Sequence, residues 1–88
     1  METIIIRLIV RRHGKPATYI ELPPNTDTKF MEQSLKNFKK QFNCNGCITA
    51  NNIIHLQGDK RELVRDYLVT IHEMNINNIQ ILDDIIER

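Results

Sequence analysis

The feature that most constrains this chain is a change of hydrophobic period. Over residues 4–12, Ile4, Ile6, Leu8 and Val10 alternate to one side, and Ile5, Arg7, Ile9 and Arg11 to the other. A period of two describes a strand with two chemically distinct faces. Over residues 28–42 the period becomes helical. Met31, Leu35, Phe38 and Phe42 fall on one stripe at spacings of four, three and four, with Lys29, Lys36 and Lys40 opposite. A chain that changes period this early has to cover the apolar face of a sheet with amphipathic helices.

Turn residues divide the rest. His13-Gly14-Lys15-Pro16 interrupts the first strand, and residues 17–22 resume it with Thr18, Ile20 and Leu22 on one face, which predicts a hairpin. Pro23-Pro24 ends it, since neither proline can donate to a ladder. Asp27 is the expected N-cap of the first helix. Asn43-Cys44-Asn45-Gly46 is its expected stop, with Gly46 or Asn45 in the left-handed conformation. Strands over 46–50 and 53–57 are joined by Asn51-Asn52, residues that tolerate the positive φ of a two-residue turn. Gly58 leads into a helix over about 60–73, with Asp59 as N-cap and Glu62 completing a capping box. Leu63, Val64, Tyr67, Leu68 and Ile71 form its expected buried face, with Arg61, Arg65 and His72 on one flank. Asn75, Asn77 and Asn78 mark a turn before a last strand, 79–82, and residues 83–88 read as a mobile tail. The order β-β-α-β-β-α-β predicts an α/β (α+β) open-faced sandwich: a mostly antiparallel sheet with two helices on one face.

An 88-residue chain accommodates one core, so residues 1–88 are expected to form a single domain with its core over about 4–82. The run Ile4-Ile5-Ile6 is far too short to cross a bilayer, and no small-residue cleavage site follows it. Two cysteines without a secretion signal suit the reducing cytoplasm. Net charge is +1, unevenly placed. Residues 1–48 carry eight Lys/Arg against four acids, and residues 49–88 four against seven. Such polarity suits an anionic partner on one side. The abundance of Ile and Asn is what an AT-rich genome, such as a compact viral or parasite one, would produce.

Two stretches carry the most specific signal. One is Phe38-Lys39-Lys40-Gln41-Phe42-Asn43-Cys44-Asn45-Gly46. The other is Leu56-Gln57-Gly58-Asp59-Lys60-Arg61, a strand end running into a helix start. In order and separation they resemble signature stretches of the eukaryotic translation initiation factor 1 family, and the resemblance covers roughly residues 4–82. It implies a non-enzymatic factor that binds the small ribosomal subunit near the P site. Such a factor opposes full seating of initiator tRNA until a start codon pairs. It also implies ribosomal RNA, the initiator tRNA complex and other initiation factors as partners, with no cofactor, no membrane and a monomeric state. By position, Arg12, His13, Gly14 and Lys15 match the family's basic first-hairpin loop, Lys36, Lys39 and Lys40 its basic helix, and Arg61 the basic residue after Gly-Asp. Cations on a rigid hairpin and helix suit structured RNA, which is read through phosphates, 2′-hydroxyls and shape. The chain departs from the pattern in beginning almost at its first strand, in having Lys15-Pro16 where two basic residues are usual, and in a very short second hairpin.

Other chemistries fit less well. Cys44-Asn45-Gly46-Cys47 has CxxC spacing, but a structural zinc site needs four ligands, and His55 and His72 lack ligand-like spacing. A redox pair normally opens a helix, whereas this one follows a helix. In the family the last position is often Thr, so Cys47 reads as a substitution, and no metal is expected. No glycine-rich phosphate cradle and no nucleophile–base pair is visible. The competing functional readings are an adaptor or decoy that binds other initiation factors through exposed Ile5 and Ile9, or an initiation or recycling module of the same fold.

Overall fold

The computed structural model describes residues 3–11, 14–50 and 52–87, and of residues 11, 50 and 83–87 the backbone alone. The order is β1 (Ile4–Arg11), β2 (Ala17–Glu21), α1 (Thr28–Gln41), β3 (Gly46–Ala50), β4 (Ile53–Gln57), α2 (Arg61–Ile71), a 3₁₀ turn (Ile76–Asn78) and β5 (Ile79–Glu87). The five strands form one sheet in the order β3-β4-β2-β1-β5. Neighbours are antiparallel except β1 and β5, which run parallel.

Topology explains why both helices cover the same face. The links β2-α1-β3 and β4-α2-β5 each join two parallel strands by a helical crossover. They start from antiparallel strands and travel in opposite directions across the sheet. Connections of one hand under those two reversals fall on one side. The alternation in β1 supplies the matching apolar face. Ile4, Ile6 and Leu8 are buried, as are Thr18, Ile20 and Leu22 of the second strand and its exit, and Ile54 and Leu56 of β4. Met31 and Phe38 from α1 and Val64, Tyr67 and Leu68 from α2 close over them. Phe38 meets the Tyr67 ring edge-on at 5.0 Å, and Asn37 Nδ2 donates to Tyr67 Oη at 2.9 Å, joining the helices. No helix among the described residues is long and apolar enough to cross a membrane.

The other face carries a row running across the sheet. Register aligns Leu82, Arg7, Tyr19, His55 and Cys47. The Tyr19 and His55 rings stack at 4.7 Å, and Arg7 pairs with Glu21 at 2.8 Å.

Several boundaries differ from expectation. β5 continues to Glu87 because β1 offers it a ladder as far as Arg11, so residues 83–87 are strand and not a tail. The register shift between Arg7 and Ile9 accommodates one extra residue at Asp83-Asp84, the pair that reads in sequence as an end. The left-handed residue ending α1 is Asn43 (φ 51°), not Asn45 or Gly46. It lets the Cys44 N–H reach back to Lys39 O at 3.2 Å, the long bond of a Schellman stop. In the second hairpin Asn52 is not left-handed. Its side chain donates to Leu22 O at 2.7 Å, while Leu22 N–H donates to Asn52 O at 2.8 Å; Asn51 lies outside the described residues. Leu63 and Ile71 are 46% and 57% exposed. Leu63 follows the buried stripe a quarter-turn off, and Ile71 is the last residue of α2. Periodicity gives an angle around the helix, not the extent of the layer beneath it.

Gly46 is needed for close approach. A Cβ there would stand 2.6 Å from His55 O and 2.7 Å from Leu56 Cδ2, the first of which is backbone that cannot swing aside. Gly46→Ala is expected to lower stability by about 1–3 kcal/mol, as overpacking does. A urea titration checks this, and an unchanged midpoint would contradict the geometry.

Candidate nucleic-acid interface

Register decides which loops meet. Ala17 pairs with Gln57, and Gly46 with Leu56, so the first-hairpin loop, the start of β3 and the end of β4 lie at one end of the sheet. α1 finishes just before β3 and α2 begins just after β4. The C-terminal half of α1 and the N-terminus of α2 therefore arrive at the same end as the loop.

Hydrogen bonds hold this end together. Gly58 takes a left-handed φ of 87°. That turn points its N–H at Pro16 O, 2.8 Å away at the root of the first hairpin, and lets its carbonyl accept from Thr18 Oγ1 at 2.7 Å. The same hydroxyl oxygen accepts the Lys60 N–H at 2.8 Å. The neighbouring Gln57 N–H donates to Asn45 O at 2.9 Å. The two signature stretches and the first hairpin are thus joined through residues 57–60.

This arrangement corrects the expected start of α2. Its N-cap is Lys60, which makes no side-chain capping bond, so Asp59 and Glu62 do not form a capping box. Thr18 has taken the Lys60 N–H, and Asp59 is engaged by a bidentate fork. Arg61 Nε donates to Asp59 Oδ1 and Nη2 to Oδ2, each at 3.0 Å. The Arg61 side-chain bond holds the Asp59 carboxyl below the usual aspartate range, against a smaller opposing effect of burial. Glu62, in the first turn, is left to complement the helix dipole.

The expected binding residues fall into three groups. Gly14 and Lys15 are exposed in the loop; Arg12 and His13 precede them and lie outside the described residues. Lys36, Lys39 and Lys40 are exposed on α1 and, with Leu35 and Cys44, line an open depression. Arg61 reaches the same end with its side chain 21% exposed, against Asp59. Lys60, which sequence reasoning passed over, lies between these groups. Burial raises the Cys44 thiol above its ordinary value, and Lys60 and Lys39 partly offset this from the two helices. The signal for Lys60 was its place between the turn glycine and the helix. Thr18 had a different signal, a hydroxyl on an otherwise apolar strand face.

Other expectations resolve differently. Arg61 and Arg65 line a groove beside α2 with Leu63 and Ile81. His72 does not join them. Its ring sits 5.1 Å from Phe30 and 5.4 Å from Tyr67, and its buried Nε2 has no hydrogen-bond partner among the described residues. Both cysteines are free. Cys44 packs against the core, while Cys47 is exposed with its sulfur 4.0 Å from His55 Nδ1 on the open face. Among the described residues no group of three or more His, Cys, Asp or Glu could hold a metal ion.

The fold class is an α+β open-faced sandwich, here with cations on a loop and at two helix ends. Comparison with known proteins gives the family. The family described as Translation initiation factor SUI1 matches residues 1–75. The chain is 36% identical over 84 residues to a protein translation factor SUI1 homolog of Acanthamoeba polyphaga mimivirus, an alignment covering 89% of this chain and 76% of that one. It is 39% identical over 67 residues to a protein translation factor SUI1 homolog of Cenarchaeum symbiosum (strain A), covering 75% of this chain and 63% of that one. The chain belongs to the SUI1 family of translation initiation factors.

The Asp59–Arg61 fork has a pH signature. A carboxyl depressed by folding contributes stability that is present above its unfolded value and is lost as pH falls through the folded one. In a carbon-detected NMR titration Asp59 is expected to have its midpoint below the ordinary value of about 3.9. Arg61→Gln should move it back up. A wild-type midpoint at the ordinary value would show that the fork does not persist in solution.

Proposed function

We propose that this protein binds the small ribosomal subunit near the P site and controls start-codon selection by opposing full seating of initiator tRNA until the codon pairs. The observation that carries the reading is the convergence of loop, α1 and α2 cations on one end of the sandwich. Membership of the SUI1 family supports a role in translation initiation. Arg12, His13, Gly14, Lys15, Lys36, Lys39, Lys40 and Arg61 form the contact surface, with Lys60 added.

The physics of that surface suits ribosomal RNA. Lys and Arg on a hairpin and on helix ends meet phosphates without reading sequence. Gly14, without a Cβ, lets the loop backbone approach closely. Opposition to tRNA needs no reaction, only a rigid body held where tRNA must settle, so the proposed role calls for no catalysis or cofactor; the proposal takes the protein to be a cytoplasmic monomer. Its partners are the small subunit, the initiator tRNA complex and other initiation factors.

Binding to purified small subunits, followed by fluorescence anisotropy across a salt series, tests this. Each phosphate neutralised contributes roughly 0.7–0.9 to the slope of log K against log salt. The wild type is expected to show steep dependence. An Arg12/His13/Lys15→Ala variant, confirmed folded by circular dichroism, should lose about two phosphates' worth of slope, and Lys36/Lys39/Lys40→Ala about three. A flat wild-type profile would overturn the reading.

A further inference from the structure

We infer that Thr18 is a positioning residue for the RNA-binding end: its hydroxyl sets where Lys60 and Arg61 stand relative to the first-hairpin loop without itself touching RNA. The inference rests on the ribosomal reading above and adds a residue that the reading does not contain.

Thr18 is fully buried on the central strand, between Leu8 of β1 and Leu56 of β4. Its neighbours on that face, Ile6, Leu8, Ile20, Ile54 and Leu56, are all apolar. A buried hydroxyl among them is unfavourable unless it is hydrogen-bonded. Here it is bonded twice, to Gly58 O as donor and from Lys60 N–H as acceptor. Both bonds go to the segment that launches α2, and neither belongs to the sheet ladder. Thr18 is only three residues from Lys15, so the hydroxyl links the loop's root directly to the helix start. The bond from Gly58 N–H to Pro16 O gives the junction a third hydrogen bond.

Such a junction has a consequence for binding. Phosphates on structured RNA stand at fixed separations. Two cationic elements engage them together only if their own separation is fixed beforehand; otherwise ordering is lost from the affinity. Loss of the hydroxyl leaves the sheet, the core and the Gly58–Pro16 bond in place but removes two of the three bonds that hold the helix start to the hairpin.

Thr18→Val keeps the shape of the side chain and removes both bonds, and Thr18→Ser keeps the hydroxyl. Binding to purified small subunits across the salt series is measured for both beside the wild type, together with NMR exchange of the Lys60 amide. Thr18→Val is expected to exchange that amide roughly tenfold faster or more and to bind roughly tenfold more weakly. Its salt slope should be shallower by about one phosphate. Thr18→Ser should stay within about twofold of wild type in affinity, with an unchanged slope. Thr18→Ala carries the same expectations should the valine variant not fold. A residue that only stabilises the fold would lower the active fraction and leave the slope unchanged, so an unchanged slope in a folded variant lacking the hydroxyl would overturn the inference. An unchanged Lys60 amide would overturn the junction itself. Absence of salt-dependent binding by the wild type would instead overturn the ribosomal reading, and the role of Thr18 in it.

Discussion

The backbone of Gly58 is the point on which the basic end depends. Its N–H and carbonyl both face β2, one bonded to Pro16 and the other to Thr18. A side chain at this position would strain the left-handed backbone that makes both bonds possible. Space is not the constraint, because a Cβ there would meet only Lys60 Cε at 3.6 Å. The constraint is conformational. From this turn follow the direction of α2, the place of Lys60 and Arg61, and the contact between β4's exit and Asn45.

The second constraint is the sheet order. With β2 central and the crossovers running outward in opposite directions, both helices cover one face. Their adjacent ends differ in sign along the backbone. α1 brings its C-terminus, whose dipole favours Lys39 and Lys40 in the last turn, and α2 brings its N-terminus, which favours Asp59 and Glu62. The cations of α1 thus sit where the helix itself favours them. Arg61, in contrast, is held by a carboxylate beside it. The exposed lysines and the forked arginine are therefore different kinds of cation: three exposed point charges and one oriented plane. The open face is organised by side-chain pairs instead of a covering layer, with Tyr19 stacked on His55 and Arg7 paired with Glu21.

Most of the element order was legible because it rests on period and punctuation. Ile4-Ile6-Leu8, the Met31–Phe38 stripe, Asp27 and Pro23-Pro24 act locally, and the structure has each in its expected role. The misreadings arise where a side chain or a strand is claimed by a partner that local pattern does not reveal. Asp59 resembles an N-cap until Arg61 engages it, and Gly46 resembles a helix stop until His55 O leaves no room for a Cβ. Residues 83–87 resemble a tail until β1 supplies a ladder, and His72 resembles a flank residue until its ring packs on Phe30 and Tyr67. The deciding partner is remote in the chain for residues 83–87, paired with β1, and for His72, packed on Phe30, whereas Asp59 is decided by Arg61 two residues on.

The amino-acid sequence by itself determined the periods, the turns, the types of charge available and the two signature stretches, because those depend on neighbours within a few residues. It thereby determined the family. Only the tertiary structure decided that Lys15, Lys39, Lys60 and Arg61 share one end, that Lys60 belongs with them, and that a buried threonine holds the arrangement. Those outcomes depend on strand register and on hydrogen bonds between residues some forty positions apart, such as Thr18 and Lys60. No local pattern encodes a contact of that kind, because it exists only once the sheet has chosen its order.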